Sequence, residues 1–142
     1  MLMFETVVVG ADSSPTAAEA VKKAVELTKL HEGTLHIVSA YKPQQYNSDA
    51  AHEFSKSLES GDLAESLLAD LASKARLAGV TAEVHAESGD PAHAICGVAE
   101  RVNADVVVVG NKGMLGMRRV LGSVPNTVAH ESPCSVLIVS TT

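Results

Sequence analysis

Five short apolar runs punctuate the chain: Thr6 to Gly10 (TVVVG), Thr34 to Ala40 (TLHIVSA), Thr81 to Ala86 (TAEVHA), Asp105 to Gly110 (DVVVVG) and Ser135 to Val139 (SVLIV). Several are apolar throughout, with no alternation of apolar and polar positions. That pattern predicts parallel strands covered on both faces. Helical spacing fills the intervals between them. Ser14 and Pro15 form a cap and first-turn pair ahead of Ala17, Ala20, Val21, Ala24, Val25 and Leu27, which make one apolar face. Asp62 with Glu65 predicts a capping-box start for a helix carrying Leu63, Leu67, Leu68 and Leu71, and Gly79 predicts its end. Asp90 and Pro91 open a third helix through Ile95 and Val98, and a shorter one is expected over Ser123 to His130. The stretch Tyr41 to Gly61 is polar and lacks a period, so it reads as a mobile connection that turns helical near Ala51 to Leu58. Strands alternating with helices imply right-handed crossovers, and so an open, doubly wound α/β domain with helices on both faces of a parallel sheet.

Composition narrows this picture. The 142 residues carry no internal repeat or linker, so one domain spanning residues 1–142 is expected. Apolar residues make up 46% of the chain, yet only two Phe and two Tyr are present, so the core must be built from Val, Leu, Ile and Ala. A net charge of -6 argues against a nucleic-acid partner, because such binding needs a basic face that neutralises phosphates. Any anion site must therefore be local. Cys96 and Cys134 match no CxxC or metal-ligand spacing and are expected to be buried free thiols, which suits a reducing compartment. The apolar N-terminus lacks a basic region and runs straight into a strand, and no apolar stretch reaches membrane-spanning length. A cytoplasmic protein with no signal peptide and no membrane partner is expected.

Chemistry concentrates at two strand ends. The first strand runs into GADSSP, which places Gly10, Ala11 and Asp12 just past it. The fourth runs into GNKGMLGMRRVLGS, in which four glycines accompany Lys112, Arg118 and Arg119 and no acid occurs. Glycines let the backbone approach a ligand, and successive N–H groups make an anion nest. Ser123, following Gly122, stands at a helix start where the dipole also favours an anion. The combination suggests a polyphosphate ligand. Each feature also has a plain structural reading: Asp12 as a helix cap, the glycines as turn residues, the two arginines as solvated helix charges.

These motifs, together with SGDPAHAI (Ser88 to Ile95) and the closing VVVVGNKGMLGMRRVLGSVPNTVAHESPCSVLIV, resemble the universal stress protein family along the whole chain. The resemblance implies a five-stranded parallel sheet of order 3-2-1-4-5, in which the Asp12 and Gly110 loops meet at one crevice. It implies an adenine nucleotide: ATP, AMP or cyclic AMP. The lone carboxylate of Asp12 gives Mg²⁺ at most an indirect place against the phosphates. Gly10, Ala11 and Asp12 would contact the nucleotide, and the backbone of Ser39 and Ala40 the adenine. Val109 and Gly110 would flank the ribose, and Lys112, Gly113, Gly122, Ser123 and Val124 would hold phosphates. The family's ATP-binding pattern is G-x2-G-x9-G-[ST]. Here only the eight residues Met114 to Leu121 separate Gly113 from Gly122, a phosphate loop shorter by one.

No catalytic constellation accompanies the nest. The Walker A pattern, G-x-S-x-G and H-E-x-x-H are all missing, and the six histidines are dispersed without ligand spacing. A nucleotide-binding stress-response regulator is therefore expected, against two alternatives: a slow ATPase or nucleotidyl-transfer enzyme on the same cleft, and a dimerisation module without nucleotide. The run Val136 to Val139 has no charge inside it and would form a bare sheet edge, which predicts a homodimer through that strand.

Overall fold

The computed structural model describes residues 3–42, 60–111 and 121–140. They form β1 (Thr6–Gly10), α1 (Pro15–Leu30), β2 (Thr34–Tyr41), α2 (Gly61–Leu77), β3 (Thr81–Ser88), α3 (Pro91–Arg101), β4 (Val106–Asn111), α4 (Ser123–Glu131) and β5 (Ser135–Ser140). All pairings in the sheet are parallel, in the order β3-β2-β1-β4-β5. The expected fold class is thus the observed one. The connection expected to turn helical falls on residues 43–59, outside the described residues.

Apolar runs become central strands because both of their faces are covered. On one face Val7, Val9, Leu35, Ile37, Val106 and Val108 pack against Ala20, Val21 and Ala24 of α1 and Leu68, Ala72 and Ala75 of α2. On the other, Val8, Val38, Val107 and Val109 meet Ile95, Val98 and Ala99 of α3 and Val128 of α4. Each fully buried valine contributes about 1.5–3 kcal/mol relative to an exposed one. The alanine face of α1 has a further purpose: a Cβ at Gly110 would lie 2.8 Å from the Thr16 carbonyl and 3.3 Å from Ala20 Cβ. Gly110 therefore lacks a side chain because α1 sits against β4, whatever else approaches it.

The helix starts follow the expected chemistry with one correction. Ser14 caps α1 by accepting the Ala17 N–H at 3.1 Å, and Asp90 caps α3 by accepting the His93 N–H at 3.1 Å. At α2 the cap is Ser60, whose Oγ accepts the Leu63 N–H at 3.2 Å, so Asp62 lies inside the first turn. There its charge suits the helix dipole instead of capping it. Gly79, at φ 92°, ends α2 in the left-handed conformation as its position predicts, with its N–H on the Arg76 carbonyl and that of Val80 on Ala75. The strands also run slightly differently from expectation. β2 and β3 extend to Tyr41 and Ser88, and Asp105 precedes β4, its carboxylate accepting the N–H groups of Glu5 and Thr6.

Candidate functional site

Chain direction creates a crevice between β1 and β4. From β1 the chain passes to α1 on one face of the sheet; from β4 it passes toward α4 on the other. The β1–β4 pairing covers only Val7↔Val106 to Val9↔Val108. Beyond it, Gly10 still pairs with Val38 of β2, and Gly110 with Val139 of β5. The two central strands therefore part at Gly10 and Val109. Ligands of open α/β sheets bind where the strand order reverses in this way.

A cavity of about 200 Å³ occupies that point. Gly10, Ala11, Asp12, Val109 and Gly110 form its floor, with Val38 and Ala40 from β2. Ser14, Thr16 and Ala17 bring the start of α1 to it, Pro91 and Ile95 the start of α3, and Val124 the start of α4. Three helix N-termini thus converge on one cleft, each with the positive end of its dipole, although Pro15 and Pro91 carry no N–H and Ser14 and Asp90 already cap an N–H of α1 and of α3. Apolar walls and the positive ends of helix dipoles suit a planar base joined to an anion, with Asp12 the one charged side chain among the described lining residues.

The expected site residues distribute unevenly. Gly10, Ala11, Asp12, Ala40, Val109, Gly110 and Val124 line the cavity, and Gly122 and Ser123 precede Val124 at the start of α4. Lys112, Gly113, Arg118 and Arg119 lie outside the described residues, as does most of the shortened loop. Ser39 is fully buried, and its hydroxyl has no hydrogen-bond partner among the described residues. Strand alternation sends that hydroxyl to the face opposite Val38 and Ala40, so only the Ser39 backbone can serve the cleft. Gly122 has already spent its N–H, which donates to Asn111 Oδ1 at 2.9 Å, so in this conformation it adds nothing to an anion nest. Ser123 and Val124 are the first two helical residues, where intrahelical acceptors do not exist.

Asp12 does not cap α1. Its Oδ1 accepts the Ser14 N–H at 2.8 Å, which folds the GADSS turn over the end of β1. Sequence reasoning passed over Asn111, which is buried at the end of β4 and ties that strand to the start of α4 through Gly122. An amide directly after an all-apolar strand was the available signal. Thr16, Pro91 and Ile95 were also passed over, because their contribution depends on helices from opposite faces meeting at one point. Cys96 on α3 and Cys134 before β5 are free and half-buried rather than buried. Burial, then the Glu131 carboxylate and Cys134, pushes the Cys96 thiol up, which keeps it protonated and poorly nucleophilic.

The sheet order and the parted central strands define a doubly wound α/β domain with a cleft at the β1/β4 reversal. The sequence profile of the Universal stress protein family matches residues 3–140, and the chain belongs to that family. A universal stress protein of Mycobacterium tuberculosis is 36% identical over 148 residues, covering 100% of both chains. Among solved structures, a universal stress protein in complex with cAMP superposes with a TM-score of 0.78 at 35% identity, covering 99% of each chain. An Arabidopsis thaliana family protein with AMP bound shares the fold at a TM-score of 0.68 and 20% identity, covering 96% of this chain and 92% of its own. Among the described residues no helix is long and apolar enough to cross a membrane.

Proposed function

We propose that the protein binds an adenine nucleotide in the β1/β4 cleft and acts as a cytoplasmic stress-response regulator. The observation that carries this reading is the parting of β1 and β4 beneath three converging helix N-termini. Val38, Ala40 and Ile95 offer apolar surface to the base, Val109 and Gly110 flank the ribose, and the N–H groups of Ser123 and Val124 face the phosphate. Likeness to the cAMP complex, at 35% identity over nearly the whole chain, supports the same ligand class. Lys112, Gly113, Arg118 and Arg119 complete the phosphate side in this reading. Asp12 leaves one carboxylate oxygen for a magnesium-bound water when a polyphosphate is present. A phosphate loop shorter by one residue favours a ligand with fewer phosphates than ATP. Calorimetric titration of the purified chain with cAMP, AMP and ATP tests the reading, with saturable binding of at least one expected. Absence of binding for all three at millimolar ligand sinks it.

We also propose a homodimer through β5. That strand is one edge of the sheet, and Leu137 on it is 42% exposed. Pairing with a second copy across a two-fold axis satisfies both edges and covers Leu137. Leu137→Lys, which places a charge on the exposed edge, and Ile138→Pro, which removes a ladder donor, are both expected to shift sedimentation from dimer to monomer. A monomeric wild-type chain at micromolar concentration, or dimers undisturbed by both substitutions, excludes this interface.

A further inference from the structure

Histidines without ligand spacing in the sequence are brought together by the register of β2 and β3. His36 stands opposite Glu83 and Val38 opposite His85, so all three polar side chains share one face of the sheet. His36 Nδ1 lies 3.0 Å from His85 Nε2 and 3.3 Å from a Glu83 carboxylate oxygen. One ligand atom from each residue falls within 4.8 Å of the other two. A tetrahedral ion with bonds of about 2.0–2.1 Å holds its ligands about 3.3–3.4 Å apart, which is close to the two separations at His36.

Three potential ligand atoms thus cluster on one face, and without a cation the 3.0 Å N···N contact requires a proton on one of the two rings. A cation at their centre would satisfy all three. We propose that His36 Nδ1, His85 Nε2 and Glu83 form a tridentate site for a divalent transition-metal ion of the zinc class, with the remaining position open to water. Two imidazoles and one carboxylate are a ligand set that zinc accepts while keeping a water. His36 anchors the site with a side chain only 7% exposed, while the Glu83 side chain is 62% exposed and gives the ion a path from solvent.

The surrounding groups are compatible with a dication. Arg101 stands near His85, but its guanidinium is engaged by Glu87, so Glu83, Glu87 and Arg101 together carry one net negative charge. Burial, then His85, holds His36 below the usual histidine value against the pull of Glu83. Burial, then Arg101, does the same for His85 against Glu87 and Glu83. His93 offers a contrast: its two nitrogens face different carboxylates, Asp90 at 3.6 Å and Glu131 at 3.3 Å, so it gathers no chelate.

The test uses the full chain stripped of metal and titrated with Zn²⁺ against a chromophoric chelator, with Co²⁺ as a spectroscopic substitute. One equivalent of Zn²⁺ and the intense visible bands of four-coordinate Co²⁺ are expected. His85→Ala and Glu83→Gln, both toward the open side, should each weaken Zn²⁺ binding by about tenfold or more with the circular dichroism spectrum unchanged. His93→Ala should leave it unaltered. Failure to bind one equivalent overturns the proposal, as does affinity in His85→Ala within about twofold of wild type.

Discussion

At the N-terminal end of the β1–β4 seam, Asp105 Oδ2 accepts the N–H of Glu5 at 3.0 Å and of Thr6 at 2.9 Å, while the Asp105 N–H donates to the Thr6 carbonyl. At the C-terminal end, pairing stops at Val9↔Val108 and the strands separate around a cavity. The same two strands are therefore stapled at one end and opened at the other. Backbone groups at the stapled end are satisfied within the chain. At the open end, the N–H groups of Ser123 and Val124 begin α4, where no intrahelical acceptor exists. Stability and binding should accordingly separate by position along a seam only a few residues long.

The largest expected effect breaks the open end. Ala40→Phe fills the cleft from β2, at a half-buried position where the ring can extend into the cavity without displacing the core. Affinity for cAMP, AMP and adenosine should fall by about a hundredfold or more, near 2.7 kcal/mol. The thermal midpoint should barely move. Calorimetry and thermal unfolding on one preparation check both halves, and wild-type affinity in the folded variant would detach the cleft from the ligand.

Breaking the stapled end should give the reverse result. Asp105→Ala removes an acceptor shared by two N–H groups, and bonds to a charged acceptor contribute about 1.5–3 kcal/mol. A lower thermal midpoint, by about 5 °C or more, is expected with nucleotide affinity unchanged. A variant that lost affinity in step with stability would mean that the two ends are one cooperative unit.

This division also marks what the sequence makes legible. Val106 to Val109 announce a strand buried on both faces because no polar side chain interrupts them, and Gly10, Asp12 and Gly110 are conspicuous because they follow such runs. Sheet order came from resemblance: periodicity identifies strands but carries no information on which neighbours pair. Ser60 and Asp62 both suit a helix start, and only the backbone conformation of Ser60 decides between them. Thr16, Pro91 and Ile95 reach the cleft through helices packed on opposite faces, a relation that local spacing does not encode. His36 and His85 are 49 residues apart, and their contact depends on a strand register that a one-residue slip would abolish.

The smallest expected effect sharpens the comparison within the open end itself. Asn111 Oδ1 accepts the Gly122 N–H, so the end of β4 is tied to the start of α4 even though the central strands have parted. Asn111→Ala leaves that N–H without its acceptor and releases the start of α4, a loss of about 1 kcal/mol. Because Ser123 and Val124 face phosphate in the proposed complex while Val38, Ala40 and Ile95 face the base, the loss should depend on the ligand. AMP and cAMP should bind about fivefold more weakly, and adenosine, which has no phosphate to misplace, should bind as it does to wild type. Equal losses for adenosine and AMP would show that Asn111 shapes the whole cleft. Losses confined to the phosphorylated ligands would locate phosphate at the N-terminus of α4, with the base held independently by β2 and α3.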